Sequence, residues 1–411
     1  MNTRRAFAIA IILTAAACGN EVANDPDDPM VEPTTTEDRL RSGDPATYEE
    51  LERAMNASLN SSIEVLRASG SDNGLISPAS LAYALAMAGE GAQCETETEI
   101  NAFLGVDDDR RATVYSDLIS SVGHKRGNAV TSLDGAIAHN EKNDTIKLDL
   151  VQDVANTYDS MFLSDTVENL NPALNDWVDE STGGLQTEIP SPLKDTTALS
   201  FLSAMRYETA WEGEALNSTI DFTTLSGEKV TVDGYKIDEK TTGWEVDGGT
   251  IIELPTQSRD ATYVFYPDDT IDPNELTIED WNTDDARSFD VFVTLPAVDF
   301  ESRTDLIAIK GAIGLEHLTD NEKGCGLADY SVTENVFISL VLQNTTLRID
   351  DNGIAASAVT QIDAVDGAAP GQEAARNNIT VDRPYALMTT SGSSGWALMY
   401  ATITDPSTAI N

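Results

Sequence analysis

The run Gly353-Ile354-Ala355-Ala356-Ser357-Ala358-Val359-Thr360-Gln361-Ile362-Asp363-Ala364-Val365 is the most informative stretch of this chain. It lies in the segment from Asp350 to Thr380, which at about thirty residues is longer than a structureless connection in a compact domain usually runs. Disorder does not fit its composition, because the half before Gly367 is small and β-competent rather than charged. At period two, one face carries Ile354, Ala356, Ala358, Thr360, Ile362 and Ala364, all apolar or small, and the other carries Ala355, Ser357, Val359, Gln361, Asp363 and Val365. A segment long enough to stand out as a loop, yet patterned to bury one face as a strand, has two possible homes. An ordinary extra hairpin strand is the plainer alternative.

The flanking sequence reads as strand. Val336–Ile349 predicts one long strand before the segment, and its length implies a large central sheet. Further strands are expected at Ala198–Tyr207, Gly249–Leu254, Ala261–Tyr266 and Phe289–Leu295. Leu51, Met55, Leu59, Ile63 and Leu66 recur at helical spacing. Leu75-Ile76-Ser77-Pro78 then breaks the helix, and Ser80–Ala88 starts another. Helices are also expected at Thr98–Leu104, Asp109–Val122 and Asn171–Asp179. With 411 residues, 41% of them hydrophobic, and no linker after the first part, one large domain of mixed α and β structure is the expectation.

Acidic residues number 70 against 25 basic ones, a formal charge of −45. Such a surface repels phosphate backbones, which argues against nucleic acid as a partner, and it describes a solvated surface suited to a salty medium. Residues 1–18 carry Arg4 and Arg5, an apolar run from Ala6 to Ala17, then Cys18 and Gly19, the pattern of an export signal too short to span a membrane. Small residues before a cysteine resemble a bacterial lipobox, in which Cys18 is acylated, although Ala15 stands where such motifs usually carry leucine. Ordinary cleavage and a free secreted chain is the alternative. Residues 19–47 are acidic and rich in Pro and Thr, with no apolar period, as in a flexible tether, and the folded part is expected from Tyr48 to the C-terminus. With Cys18 lipidated, Cys94 and Cys325 remain, and in an oxidising compartment a disulfide is the simplest reading. Two buried free thiols are the other reading. A metal site is disfavoured, because neither cysteine has a histidine close in sequence and His124, His139 and His317 are scattered singly.

The segment from Gly353 resembles the reactive loop of serpins, and the resemblance runs from about Tyr48 to the C-terminus. Asn73-Gly74-Leu75-Ile76-Ser77-Pro78-Ala79-Ser80 is similar to that family's strand and helix start, with Ser77 and Ser80 as its two shutter serines. Leu174-Asn175-Asp176-Trp177-Val178, followed by Thr182-Gly183-Gly184, resembles the helix that crosses the main sheet. Trp211 stands where the family keeps a tryptophan in the breach, under the point where the loop enters the sheet. Asp382-Arg383-Pro384-Tyr385 and Asp405-Pro406 match the strands after the loop.

The resemblance implies an α+β fold of about nine helices around three β-sheets, with a reactive loop at about 351–380. It also implies a monomer that is not an enzyme, needs no cofactor or metal, and traps an extracellular or periplasmic serine protease in a covalent complex. Such a protease passes through an acyl-enzyme ester. Insertion of the cut loop as a new central strand before the ester is hydrolysed would drag the protease along and distort it. The hinge would be Gly353, Ile354, Ala355, Ala356, Ser357 and Ala358. Counted from Asp351, the attacked bond would be Gly367–Ala368, flanked by Val365, Asp366 and Ala369, which points to an elastase-like or subtilisin-like target. Arg376 would suit a trypsin-like enzyme but lies nine places further along.

Two departures stand out. Ile354 is larger than the small residue common at that hinge position, though burying it should be worth about 1.5–3 kcal/mol where a pocket exists. In the shutter, Ser203 and Gln343 replace the usual asparagine and histidine, and could hydrogen-bond to each other across opening strands. The competing readings are a non-inhibitory binding protein of the same fold, a cross-class inhibitor of papain-like cysteine proteases, and a hydrolase using Ser391 or Ser393. The last is weak, since the Ser391–Gly395 run forms no nucleophile elbow and has no histidine after it.

Overall fold

The computed structural model describes residue 40 and residues 44–70, 72–126, 129–319, 325–333, 336–339, 341–356 and 377–408. Among them are seven α-helices: α1 (Tyr48–Ser69), α2 (Pro78–Gly89), α3 (Cys94–Leu104), α4 (Arg111–Ser121), α5 (Leu148–Thr157), α6 (Val167–Thr182) and α7 (Leu306–Ile309). The strands in the first half are β1 (Gly74–Ile76), β2 (His124–Arg126), β3 (Ala129–Asn140), β4 (Ser160–Asp165), β5 (Leu199–Ala210), β6 (Ala215–Thr223), β7 (Lys229–Ile237), β8 (Thr241–Val246) and β9 (Gly249–Glu253). Those in the second half are β10 (Ala261–Pro267), β11 (Arg287–Pro296), β12 (Val298–Asp305), β13 (Leu342–Ile349), β14 (Gly353–Ala356), β15 (Asn377–Thr380), β16 (Tyr385–Thr390) and β17 (Ala397–Ile403).

The strands form two hydrogen-bonded networks. Seven run in the order β12-β13-β14-β5-β3-β2, with β4 on β3, and ten run β1-β17-β16-β10-β9-β8-β11-β7-β6, with β15 on β11. The second is two leaves joined by the β8–β11 ladder, so the molecule has an α+β architecture of three leaves with helices around them. The main core lies between the seven-stranded sheet and the β16–β17 leaf, and α2, buried at nearly every position, packs against both β5 and β17. On the outer face α6 lays Leu170, Leu174 and Val178 over Ala136 and Ala138 of β3.

Local chemistry explains the helix ends. Thr47 and Glu50 form a capping box at the start of α1, and Gly70 closes it in the left-handed conformation. Ser77 caps α2 with Pro78 at its first position, and Gly183 ends α6. In β3, Gly135 is required because a Cβ there would stand 2.2 Å from the Tyr83 hydroxyl.

Two sequence expectations change. The strand expected at Val336–Ile349 begins only at Leu342: before it the chain turns back, Leu327 N–H donating to Val336 O at 2.7 Å, and Phe337 is exposed. The helix expected from Asp109 starts as a 3-10 turn over Asp108–Arg110 and becomes α-helical at Arg111. The helix α5 and the long strand β3 were not anticipated.

Candidate functional site

The site is the place where β14 enters the seven-stranded sheet. Gly353, Ile354, Ala355 and Ala356 lie between β13 and β5 and pair antiparallel with both. Arg348 faces Ala355 and Ile349 faces Ile354 on one side, while Gly353 faces Ala210 and Ala356 faces Tyr207 on the other. Ile354 and Ala356 are buried and Ala355 is half-buried, the alternation of a strand with one face in the core. Ile354 sits in the main core at 1% exposure, so this larger residue has its pocket.

A tight turn feeds the strand. The Asp350 carboxylate accepts from the backbone N–H of Asn352 at 2.7 Å and of Gly353 at 3.2 Å, and Asp350 N–H donates to Gly353 O at 3.1 Å. Trp211 fastens the turn from below, its Nε1 donating to Asp350 O at 2.9 Å and its backbone N–H to Asn352 O at 3.4 Å. Gly353 takes φ +155°, and a Cβ added to it would meet Thr209 O at 1.9 Å and Ala210 Cα at 2.8 Å. Only glycine fits there. The surroundings are acidic: burial first, then the Asp351, Asp350 and Asp233 carboxylates, push the Tyr235 hydroxyl above its ordinary value. Burial and then Glu212 do the same to Glu253.

Beyond Ala356 the flanking strands continue, β5 back to Leu199 and β13 back to Leu342, and the described ladders do not pair them with each other. Their far ends are held by the start of α2. Gln343 accepts from Ser77 N–H at 2.9 Å through Oε1 and donates to Ser77 O at 3.0 Å through Nε2. Ser203 Oγ donates to Ser80 O at 2.5 Å and lies 2.7 Å from Ser80 Oγ. Ser77 Oγ donates in turn to Leu398 O at 2.6 Å. The direct Ser203–Gln343 hydrogen bond expected from the sequence is therefore replaced by two separate clips on one helix turn, since β14 holds the strands apart and α2 lies beneath both. On the outer face, Gln186 after α6 donates from Nε2 to Asn344 O at 3.1 Å, a link from the α6 side of the gap to β13.

The sequence candidates fall into three groups. Gly353, Ile354, Ala355, Ala356 and Trp211 meet at the entry, and Ser77, Ser80, Ser203 and Gln343 meet at the far end. Ser357, Ala358, Val365, Asp366, Gly367, Ala368, Ala369 and Cys18 lie outside the described residues. Cys94 and Cys325 form a disulfide with S–S 2.07 Å and Cα–Cα 5.7 Å, tying the start of α3 to the loop before β13. Among the described residues no cluster of His, Cys, Asp and Glu could hold a metal. Ser391 and Ser393 sit at a turn between β16 and β17, where Gly392 N–H donates to buried Asp260 at 2.8 Å.

At the family level, residues 55–406 match the description Serpin (serine protease inhibitor). The chain is a serpin. Human neuroserpin is 23% identical over 375 residues, covering 84% of this chain and 88% of that one. Among solved structures, the thermophilic serpin tengpin in its native state gives a TM-score of 0.71 at 20% identity, over 85% of this chain and 94% of tengpin. Human thyroxine-binding globulin gives 0.71 at 17% identity, over 87% and 100%. These likenesses establish the serpin fold, in a family that is generally one of serine protease inhibitors.

Sequence reasoning missed Asp350 and Gln186 in this serpin. The Asp-Asp-Asn-Gly composition at 350–353 is a turn signal that could have found the first. Nothing local marks Gln186, whose partner lies 158 residues away.

Proposed function

We propose that this serpin is a suicide-substrate inhibitor of a serine protease with a shallow primary pocket, elastase-like or subtilisin-like, cut between Gly367 and Ala368. The observation that carries the reading is the seated hinge. Ile354 and Ala356 are buried between β13 and β5. If insertion continued at the same register after cleavage, Ala364 would come to lie opposite Leu199, the first residue of β5. The patterned run Ile354–Ala364 thus has the length of the strand it would accompany. The apolar face Ala358, Thr360, Ile362 and Ala364 would follow Ile354 and Ala356 into the core. Insertion would add ladder bonds and buried area available only after the cut, which makes the uncut state metastable and its lifetime kinetic.

Small residues around Gly367 leave a deep or charged primary pocket without an anchor. Export with lipidation at Cys18 would put the inhibitor on a bacterial cell surface or in the periplasm, in an oxidising setting that suits the Cys94–Cys325 disulfide. Residues 19–47 would tether it there.

The test is incubation with pancreatic elastase and with subtilisin, followed by denaturing electrophoresis. A detergent-stable complex is expected, with the released C-terminal peptide beginning at Ala368 by mass spectrometry. Complete cleavage without complex at every stoichiometry would sink the inhibitory reading, and a peptide beginning elsewhere would move the bond.

A further inference from the structure

Two Asn-Gly pairs occur in the chain, Asn73-Gly74 and Asn352-Gly353, and the fold treats them oppositely. In an asparagine followed by glycine, the next backbone nitrogen most readily reaches the side-chain carbonyl carbon, because glycine has no Cβ to obstruct it. Asn73 is buried and fully engaged. Its Nδ2 donates to Asp405 O at 2.8 Å and Thr408 Oγ1 at 2.9 Å, and its Oδ1 accepts from the N–H groups of Thr404 at 2.8 Å and Asp405 at 3.1 Å. Gly74 is paired with Thr402 in the β1–β17 ladder. Asn352 is exposed at the root of the hinge, and its amide donates at 2.9 Å to the exposed Asp351, while the attacking Gly353 N–H donates to the Asp350 carboxylate at 3.2 Å, a contact that attack must break.

We infer that Asn352 is a site of spontaneous deamidation. Gly353 N attacks Asn352 Cγ, the Cγ–Nδ2 bond breaks, and ammonia leaves with the proton that Gly353 N gives up, closing a five-membered imide. Water opens that ring at the side-chain carbonyl to give aspartate, or at the main-chain carbonyl to give isoaspartate. One water is consumed and one ammonia is released. The hinge cannot be protected by changing Gly353, since a Cβ there would lie 1.9 Å from Thr209 O. The residue that lets the strand seat is the one that leaves the preceding amide open to attack.

Isoaspartate adds one carbon to the main chain immediately before Gly353. That displaces Gly353 from Ala210 and draws the two N–H donors away from the Asp350 carboxylate. The expected result is an inhibitor that ages into a substrate. This consequence rests on the function proposed above; the modification itself does not.

The test is to age the full chain in warm, mildly alkaline buffer and map its peptides by mass spectrometry, with labelling by a protein isoaspartyl methyltransferase. Conversion at Asn352 is expected at least about tenfold faster than at Asn73, which reacts only through opening of its buried site. An unconverted Asn352, or equal rates at the two sites, overturns the assignment. Complex formation with elastase or subtilisin is then compared, aged against fresh, for the wild-type chain and for Asn352→Gln. Loss confined to the aged wild-type chain supports the ageing of the inhibitor. Equal loss in both chains, or full complex formation by converted protein, overturns that consequence. If fresh protein forms no complex, the inhibitory reading fails while the peptide map still decides the modification.

Discussion

The two ends of the gap between β5 and β13 are held by different chemistry. At the entry, the ladder itself does the holding: Gly353–Ala356 bond to both neighbours through backbone groups, with Trp211 and Asp350 fixing the turn. At the far end, side chains hold instead, Gln343 on Ser77 and Ser203 on Ser80. A backbone ladder tolerates many side chains but no misfit of the main chain, whereas a side-chain clip depends on residue identity and yields to one substitution. The entry is thus fixed by main-chain fit, and the far end by the identity of two side chains.

The sharpest way to break this contrast is Gly353→Val. Its Cβ has no room against Thr209 O, so β14 should be unseated at a cost of about 2–4 kcal/mol in strain and lost fit. The thermal midpoint should fall and the detergent-stable complex should disappear. An unchanged midpoint would show that β14 contributes nothing to the resting state.

Gln343→Leu attacks the other end. It leaves the buried Ser77 N–H without its partner, at about 1–3 kcal/mol, while Ser77 O keeps the Leu81 N–H at 3.0 Å. On the proposed function this clip would oppose opening of the gap, so stored protein should lose activity faster than wild type in a time course without protease. A variant that is less stable to denaturant yet no faster to inactivate would confine Gln343 to a packing role.

The smallest effect is a pH dependence near the far end. Asp134 of β3 precedes Gly135, the partner of Ser203, and its carboxyl is pushed above 3.8 by burial, with Asp159 and Glu180 adding to the rise against a hydrogen bond from Ser132. A carboxyl raised in the folded state binds its proton more tightly there than in the unfolded chain. Stability should therefore fall as pH rises from about the ordinary value through the raised one, and level off above it. Denaturant midpoints measured across mildly acidic pH should lose part of this slope in Asp134→Asn, and a slope unchanged by the substitution would assign it to other carboxylates.

How much of this was legible varies with the range of the interaction. The alternation at Ile354 and Ala356, the glycine at 353, the proline after Ser77 and the apolar repeat of α1 are local patterns. Each appears in the structure as the element its period or turn chemistry implied. Val336–Ser339 carried the same apolar signal as a strand but forms none: Val336 O accepts from Leu327 N–H and Phe337 is exposed. The Ser203–Gln343 pair was found as residues but misjudged as a contact, since two side chains on strands that flank β14 were each claimed by a helix start that no spacing could bring near.

The chain's own order of residues was enough for the family, the strand character of Gly353–Ala356 and the acidic charge, because glycine sterics, strand alternation and net charge are carried by neighbours along the chain. Three things came only with tertiary structure: that the hinge already lies between β13 and β5, that the far ends are clipped to α2, and that one Asn-Gly is buried while the other is exposed. Each depends on groups far apart in sequence, more than a hundred residues in the case of Trp211 and Asp350. Such contacts form only when the whole core closes, and no local pattern specifies which partner a buried polar group will find.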